Sequence, residues 1–173
     1  MAELLMVVSD RPGYTPHIAR LVAMMTYARH SVLQEVEGLT MAQLDYLHDA
    51  ESNSIGGLLM HSAAVERFYQ GTLDIVHPKG SDVEEADWDA AGELGDAGRQ
   101  RLRGHPLGHY IDLLHAVRQQ SLQALQGKDD AWLHAETRWG DRRVNHYWMW
   151  FHVMEDELNH RGQIRWLKRR LPS

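Results

Sequence analysis

Residues 151–164 read FHVMEDELNHRGQI, and this stretch places His152, Asp156 and His160 at successive steps of four. Side chains four residues apart on an α-helix lie one above the other on the same face. Burying a carboxylate and two imidazoles is costly unless a partner satisfies them, and a divalent metal ion is one such partner. The stretch therefore predicts a core-facing helix that carries metal ligands. The apolar residues that share this side are Met149, Val153, Ile164, Leu167 and Leu171.

The spacing also selects among the possible ligands. His152 and His160 are separated by about 12 Å along a helix axis, which is too far for both to bind one ion comfortably. We therefore predict that Asp156 and His160 chelate the ion together with His61, which lies on the apolar face of another predicted helix. His152 becomes the catalytic candidate, because it faces the substrate or supports the ligands. Two histidines and a carboxylate suit zinc, nickel or iron(II).

Each of these residues also has a purely structural interpretation. His61 alone is more typical of a hydrogen-bonded core histidine, and Asp156 with His160 alone is compatible with a buried ion pair. His115 near the core stripe of its helix is interpreted as structural. The tryptophans Trp148 and Trp150 are interpreted as packing residues or subunit contacts.

Composition excludes several classes of protein. The 173 residues predict one domain, residues 1–173, and the net charge of −6 argues against a nucleic-acid partner. The chain has no cysteine, so any thiol chemistry needs a thiol from another molecule. The opening MAELLMVVSD lacks a basic n-region, and no apolar run approaches the roughly 18 residues of a membrane span. We expect a soluble, cytoplasmic protein without a membrane partner.

Apolar periodicity predicts an all-α fold, a four-helix bundle with long connections. Thr15 and Asn145 stand where they can cap the first and last helices, and Thr40 can cap a short helical piece. The Gly-, Asp- and Glu-rich residues 77–105 are interpreted as a long excursion with one helical turn, and residues 128–143 as irregular chain or a small hairpin. The predicted long helices cover residues 16–38, 55–75, 106–126 and 146–171.

Three stretches resemble motifs of the DinB/YfiT-like superfamily. FHVMEDELNHRGQI (151–164) is similar to its last-helix motif, SIGGLLMHSAAVERFY (54–69) to its second-helix motif, and EVEGLTMAQLDYL (35–47) to the connection before that helix. The resemblance implies a DinB/YfiT-like bundle whose metal triad corresponds to His61, position 156 and His160. Asp156 replaces the usual histidine, as carboxylates do in some related branches, and it lowers the net charge of the metal site by one.

The resemblance also implies a range of activities. Characterised members are similar to thiol S-transferases that use bacillithiol, mycothiol or glutathione-type cosubstrates, or they isomerise maleylpyruvate; the family is commonly dimeric. We therefore expect a homodimeric, metal-dependent enzyme that transfers a low-molecular-weight thiol to a small electrophile. The alternatives are a metal-dependent hydrolase and a non-catalytic metal-binding bundle of the stress response.

Overall fold

The computed structural model describes residues 5–77 and 83–172, and in these residues four long α-helices form a bundle. This confirms the predicted all-α, four-helix architecture. The long helices are α1 (Pro16–Val36), α3 (Ile55–Gln70), α6 (Leu107–Leu125) and α8 (His146–Lys168). The connections contain α2 (Met41–Leu44), α4 (Glu85–Glu93), α5 (Gly95–Arg101) and α7 (Asp130–His134). They also contain the antiparallel hairpin of β1 (Glu136–Trp139) and β2 (Arg142–Asn145).

Of the three predicted N-cap residues, two cap their helices. The Asn145 side chain accepts a hydrogen bond from the Trp148 N–H, and Thr40 forms a capping box with Gln43, as the sequence predicts. Thr15 precedes α1, but its hydroxyl does not cap that helix. It donates to the Asp130 carboxylate at 2.5 Å, and this carboxylate accepts the backbone N–H of His17 instead. The N-terminus of α1 is thus capped from α7.

The prediction for residues 77–105 is wrong in part, because the chain forms two helices there rather than one turn. Residues 78–82 of this stretch lie outside the described residues. Trp88, Ala90 and Ala91 bury one face of α4, which packs against α3. The many acidic and glycine residues of this stretch give it a low helix propensity, so the sequence predicted a loop. Packing against α3 stabilises the short helix more than its own propensity does.

Two further helix boundaries differ from the prediction. The second long helix ends at Gln70 and continues as a 3₁₀ turn at Gly71–Leu73, short of the predicted residue 75. The last helix ends at Lys168 rather than near Leu171. The alternative of a small hairpin for residues 128–143 is confirmed, although the hairpin ends at Asn145 and α7 precedes it. No helix of the described chain is long and apolar enough to cross a membrane.

Two clusters of buried apolar side chains fill the bundle. One contains Leu58 and Leu59 of α3, Leu114 of α6 and Ile164 of α8. The other joins α1 to α8 through residues such as Ile18, Leu21, Met25, Trp150 and Val153. Trp150 is fully buried, which agrees with its interpretation as a packing residue.

Four charged side chains are also buried, one from each long helix. Arg29 of α1 and Arg118 of α6 both contact Glu66 of α3 and Glu157 of α8. Arg118 Nε lies 2.7 Å from Glu66 Oε1, and Arg118 Nη2 lies 2.9 Å from Glu157 Oε1. Arg29 Nη2 lies 2.9 Å from Glu66 Oε2. The two positive and two negative charges balance, and we call these four residues the charged quartet.

Backbone carbonyls extend the hydrogen bonding of the quartet, in which Glu157 Oε2 alone is buried without a hydrogen-bond partner among the described residues. Arg29 donates to the carbonyl of Leu114 at 2.5 Å, and Arg118 donates to the carbonyl of Met25 at 2.9 Å. Each arginine therefore reaches the backbone of the helix that carries the other arginine. Good pairing of this kind is what makes a buried ion cluster tolerable.

Removal of one quartet arginine should destabilise the bundle strongly. Arg118→Ala leaves two carboxylates buried with one cation, so we expect the free energy of unfolding to fall by about 3–5 kcal/mol. Urea titration followed by circular dichroism measures this loss. The matched control is Arg143→Ala, which breaks the exposed pair with Glu136 and should leave the midpoint unchanged. Equal midpoints for wild type and Arg118→Ala would contradict a stabilising role.

The quartet also predicts a pH dependence. Burial alone raises the pKa of Glu66, but the charges of Arg118 and Arg29 outweigh it and hold this pKa below the usual value of 4.5. Because the pKa of Glu66 is lower in the folded state than in the unfolded state, ionised Glu66 stabilises the protein above pH 4.5. This stabilisation is lost as the pH falls through the folded-state pKa. The difference in the free energy of unfolding between wild type and Glu66→Gln should therefore be largest at pH 7 and should decrease below pH 4.5. Urea titrations across this range test it, and a constant difference would contradict it.

Candidate metal centre

The bundle brings the three predicted ligands together from two neighbouring helices. His61 projects from α3, and Asp156 and His160 project from α8 one turn apart. One nitrogen from each histidine and one carboxylate oxygen all lie within 4.8 Å of one another. His160 Nε2 is 3.2 Å from Asp156 Oδ1, and His61 Nε2 is 3.6 Å from Asp156 Oδ2. Within residues 5–77 and 83–172, this is the one cluster of three such side chains suited to an ion.

The unsatisfied atoms of this cluster fit a metal ion. Asp156 Oδ2 and both ring nitrogens of His160 are buried without a properly aligned hydrogen-bond partner in the described chain. The short distances between these side chains are therefore close approaches of polar atoms rather than well-formed hydrogen bonds. Buried polar atoms normally find partners. A divalent cation at the point where the three side chains converge would satisfy the atoms that face it.

The orientation of His61 comes from the connection that the sequence analysis interpreted as an excursion. His61 Nδ1 donates a hydrogen bond to the backbone carbonyl of Ala91 in α4 at 2.6 Å. This bond places the proton on Nδ1 and leaves the lone pair of Nε2 directed at Asp156. A carbonyl that holds the outer nitrogen of a histidine is the usual support for a metal-binding imidazole.

The charges of the cluster are strongly coupled. Burial raises the pKa of Asp156, but the adjoining His160 and His61 outweigh it and hold this pKa far below its usual range. Burial lowers the pKa of His61, but the contact with Asp156 raises it by more. The pKa of His61 is therefore above its usual value. Asp156 is consequently ionised at neutral pH, which is the state that binds a cation.

His152 lies beside this cluster and not within it. Its Nδ1 is 2.9 Å from a carboxylate oxygen of Glu155, and its ring stacks on Trp148 with centroids 5.3 Å apart. The ring is 30% exposed as a side chain, so a ligand can reach it. The structure thus places His152 where the helical spacing predicts, one turn before Asp156.

Tyr69 is a neighbour of the cluster that the sequence analysis missed. Its ring contacts His152 edge to face at 6.0 Å. Burial and the negative charge of Asp156 raise the pKa of Tyr69 to about 12. The sequence contains a signal for this position, because Tyr69 follows His61 by two steps of four and therefore lies on the same face of α3.

The other histidines considered do not join the cluster. His105 and His109 stack on each other at 4.1 Å at the start of α6, where Pro106 and Gly108 separate them in the sequence. Neither these two nor His115 belongs to a group of three possible ligands in the part of the chain that the structure describes.

Comparison with known proteins supplies the family. A family model described as mycothiol-S-transferase matches residues 20–171, and the chain belongs to this DinB-like family of thiol S-transferases. The resemblance seen in the three sequence motifs is thereby confirmed.

A solved structure supports the fold alone. The crystal structure of a conserved protein from Enterococcus faecalis superposes with a TM-score of 0.60 at 13% sequence identity. The alignment covers 87% of this chain and 94% of that chain. No curated protein sequence matches the chain.

Metal content gives a direct test of the ligand set. His160→Ala removes one of three donors, so we expect the purified variant to lose its bound divalent ion and to melt at a lower temperature. A chelator should lower the melting temperature of the wild type in the same way. Elemental analysis and thermal denaturation provide the two readouts.

The control for this experiment is His30→Ala, which removes an exposed histidine of α1. This variant should keep both the ion and the melting temperature. Unchanged metal content in His160→Ala would contradict the ligand assignment.

Proposed function

We propose that this protein is a metal-dependent mycothiol S-transferase that joins the thiol to a small electrophile. The observation that carries the proposal is the convergence of His61, Asp156 and His160 within 4.8 Å in a chain of this family. Zinc, nickel and iron(II) suit such a donor set, because imidazole and carboxylate bind all three. An ion held by these residues would lower the pKa of a thiol and so supply a reactive thiolate at neutral pH.

The composition of the chain supports an external sulfur nucleophile. The protein has no cysteine, so the reacting sulfur comes from a diffusible molecule. Asp156 contributes a negative charge where the family commonly has a neutral histidine, and this reduces the positive charge of the loaded site. With Asp156 as a ligand, the three residues would still hold a divalent ion, and the loaded site would attract the anionic thiolate less strongly.

His152 is proposed to move the proton of the reaction. The carboxylate of Glu155 accepts a hydrogen bond from His152 Nδ1 at 2.9 Å, which leaves Nε2 as the acceptor for a proton released by the thiol. Such geometry is that of a general base held by a carboxylate.

Tyr69 is proposed to assist on the side of the electrophile. Its pKa of about 12 keeps the hydroxyl protonated at neutral pH, so it acts as a hydrogen-bond donor to the group that gains charge. A hydroxyl deprotonated at neutral pH would lose this ability. The contact of its ring with that of His152 supports a role for both residues in the same part of the site.

Thiol-dependent turnover tests the proposal. Metal-loaded protein should conjugate mycothiol to a model electrophile such as a monochlorobimane dye, and a chelator should abolish the reaction until metal is restored. Asp156→Ala should lose the ion and the activity, whereas Asp156→His should keep the ion. His152→Gln should lower kcat by roughly 10²–10⁴-fold, the range for loss of a general base, with little change in KM. Fluorescence of the conjugate measures each rate.

The outcomes separate the proposed function from its alternatives. Absence of thiol-dependent turnover in a metal-loaded sample would reject the transferase. Hydrolysis of activated esters or amides that disappears on chelation would instead indicate a metal-dependent hydrolase. Inactivity in both assays would favour a non-catalytic metal-binding bundle of the stress response. A homodimer and a cytoplasmic location stay predictions.

A further inference from the structure

The metal cluster is one end of a longer line of side chains along α8. Trp148, His152, Asp156 and His160 follow one another at steps of four and share one face of the helix. Trp148 begins the line about 12 Å along the axis from Asp156. A ligand that touches both ends must therefore be extended.

A cleft opens at the Trp148 end of this line. It has a volume of about 450 Å³ and lies between the hairpin and the first turn of α8. The indole of Trp148 forms one wall and remains 37% exposed, although it is a large apolar ring. The cleft is lined by Glu136, Arg142, Arg143, Val144, Asn145 and Trp148.

Aromatic rings connect the cleft to the cluster. Trp139 of β1 contacts Trp148 at 5.4 Å, and Trp148 stacks on His152 at 5.3 Å. Tyr69 contacts both ends of this series, since its ring centroid lies 6.0 Å from that of His152 and 6.4 Å from that of Trp139. The rings of Trp139 and His152 hold Trp148 in a defined orientation, and with Tyr69 the four rings form a wall from the hairpin to His152, one turn before Asp156.

The polar groups of the cleft suit hydroxyl groups. Arg143 forms an ion pair with Glu136, so these two charges cancel. Arg142 has no acidic partner among residues 5–77 and 83–172, and its guanidinium offers several hydrogen-bond donors. An exposed indole offers a flat face with partial negative charge, against which the C–H groups of a sugar ring pack favourably. An aromatic platform beside arginine, asparagine and glutamate side chains is thus suited to a polyhydroxylated ring.

We propose that this cleft binds the saccharide end of the thiol cosubstrate, with Trp148 as the stacking platform. The proposal rests on the transferase function, because mycothiol carries its cysteine on a glucosamine–inositol pair. A single residue spans only about 3.5 Å, so a cysteine alone does not reach from the metal ligands to Trp148. A cysteine joined to two rings does. The cleft therefore selects a glycosylated thiol over a short one.

Binding of the thiol-free glucosamine–inositol pseudodisaccharide tests the cleft without any chemistry. Titration calorimetry should show saturable binding to wild-type protein and roughly tenfold weaker binding to Trp148→Ala, the order expected for loss of one ring contact. Trp148→Phe should retain most of the affinity. The matched control is Trp166→Ala, which removes an indole of similar exposure, 43%, about 27 Å further along α8. That variant should bind like wild type.

Kinetics provide the second readout. Trp148→Ala should raise the KM for mycothiol roughly tenfold while leaving the KM for N-acetylcysteine unchanged, since the short thiol does not reach the cleft. Melting curves that match those of Trp166→Ala establish that Trp148→Ala is folded.

The two proposals fail in different ways. No binding of the pseudodisaccharide to wild type, or equal binding by wild type and Trp148→Ala, overturns the saccharide site even if mycothiol turnover is present. Binding that depends on Trp148 without thiol turnover supports the saccharide site and rejects the transferase function. An equal rise in KM for both thiols would also overturn the cleft, because it would mean that Trp148 acts on the metal end.

Discussion

The charged quartet is the interaction on which the arrangement of the helices depends. Arg29, Glu66, Arg118 and Glu157 each come from a different long helix, and every cation contacts both carboxylates. Apolar side chains tolerate small shifts along a helix, whereas a buried ion pair leaves an uncompensated charge when its geometry is lost. The quartet therefore determines how far each helix is displaced along its neighbours.

That alignment positions the candidate metal centre. The same two arginines hold Glu66 of α3 opposite Glu157 of α8. These two helices are antiparallel, because His61 pairs with His160 and Tyr69 pairs with His152. His160 follows Glu157 by less than one turn, so it comes to face His61. A slip of one turn, about 5.4 Å, would separate these ligands.

The centre also depends on a segment far from the family motifs. The carbonyl of Ala91 in α4 holds His61 in the tautomer that directs Nε2 at Asp156. At the other end of the line, the hairpin brings Trp139 and Arg142 to Trp148. Two of the three connections between the long helices thus orient one ligand and build the proposed saccharide cleft, while the bundle itself provides the rigid support.

The sequence alone determined the helical periodicity, the bundle and the pairing of Asp156 with His160, because steps of four on a helix are local properties of the chain. His61 became the third candidate ligand because it lies on the apolar face of another predicted helix. The sequence also indicated that the sulfur must come from outside, since cysteine is absent. Only the tertiary structure showed the quartet, because a lone arginine in an amphipathic helix gives no sign of burial. The same holds for the two helices within residues 77–105, since α4 is stabilised by packing on α3 and α5 by packing on α4. Which atoms meet across helices depends on long-range packing, and no local pattern contains it.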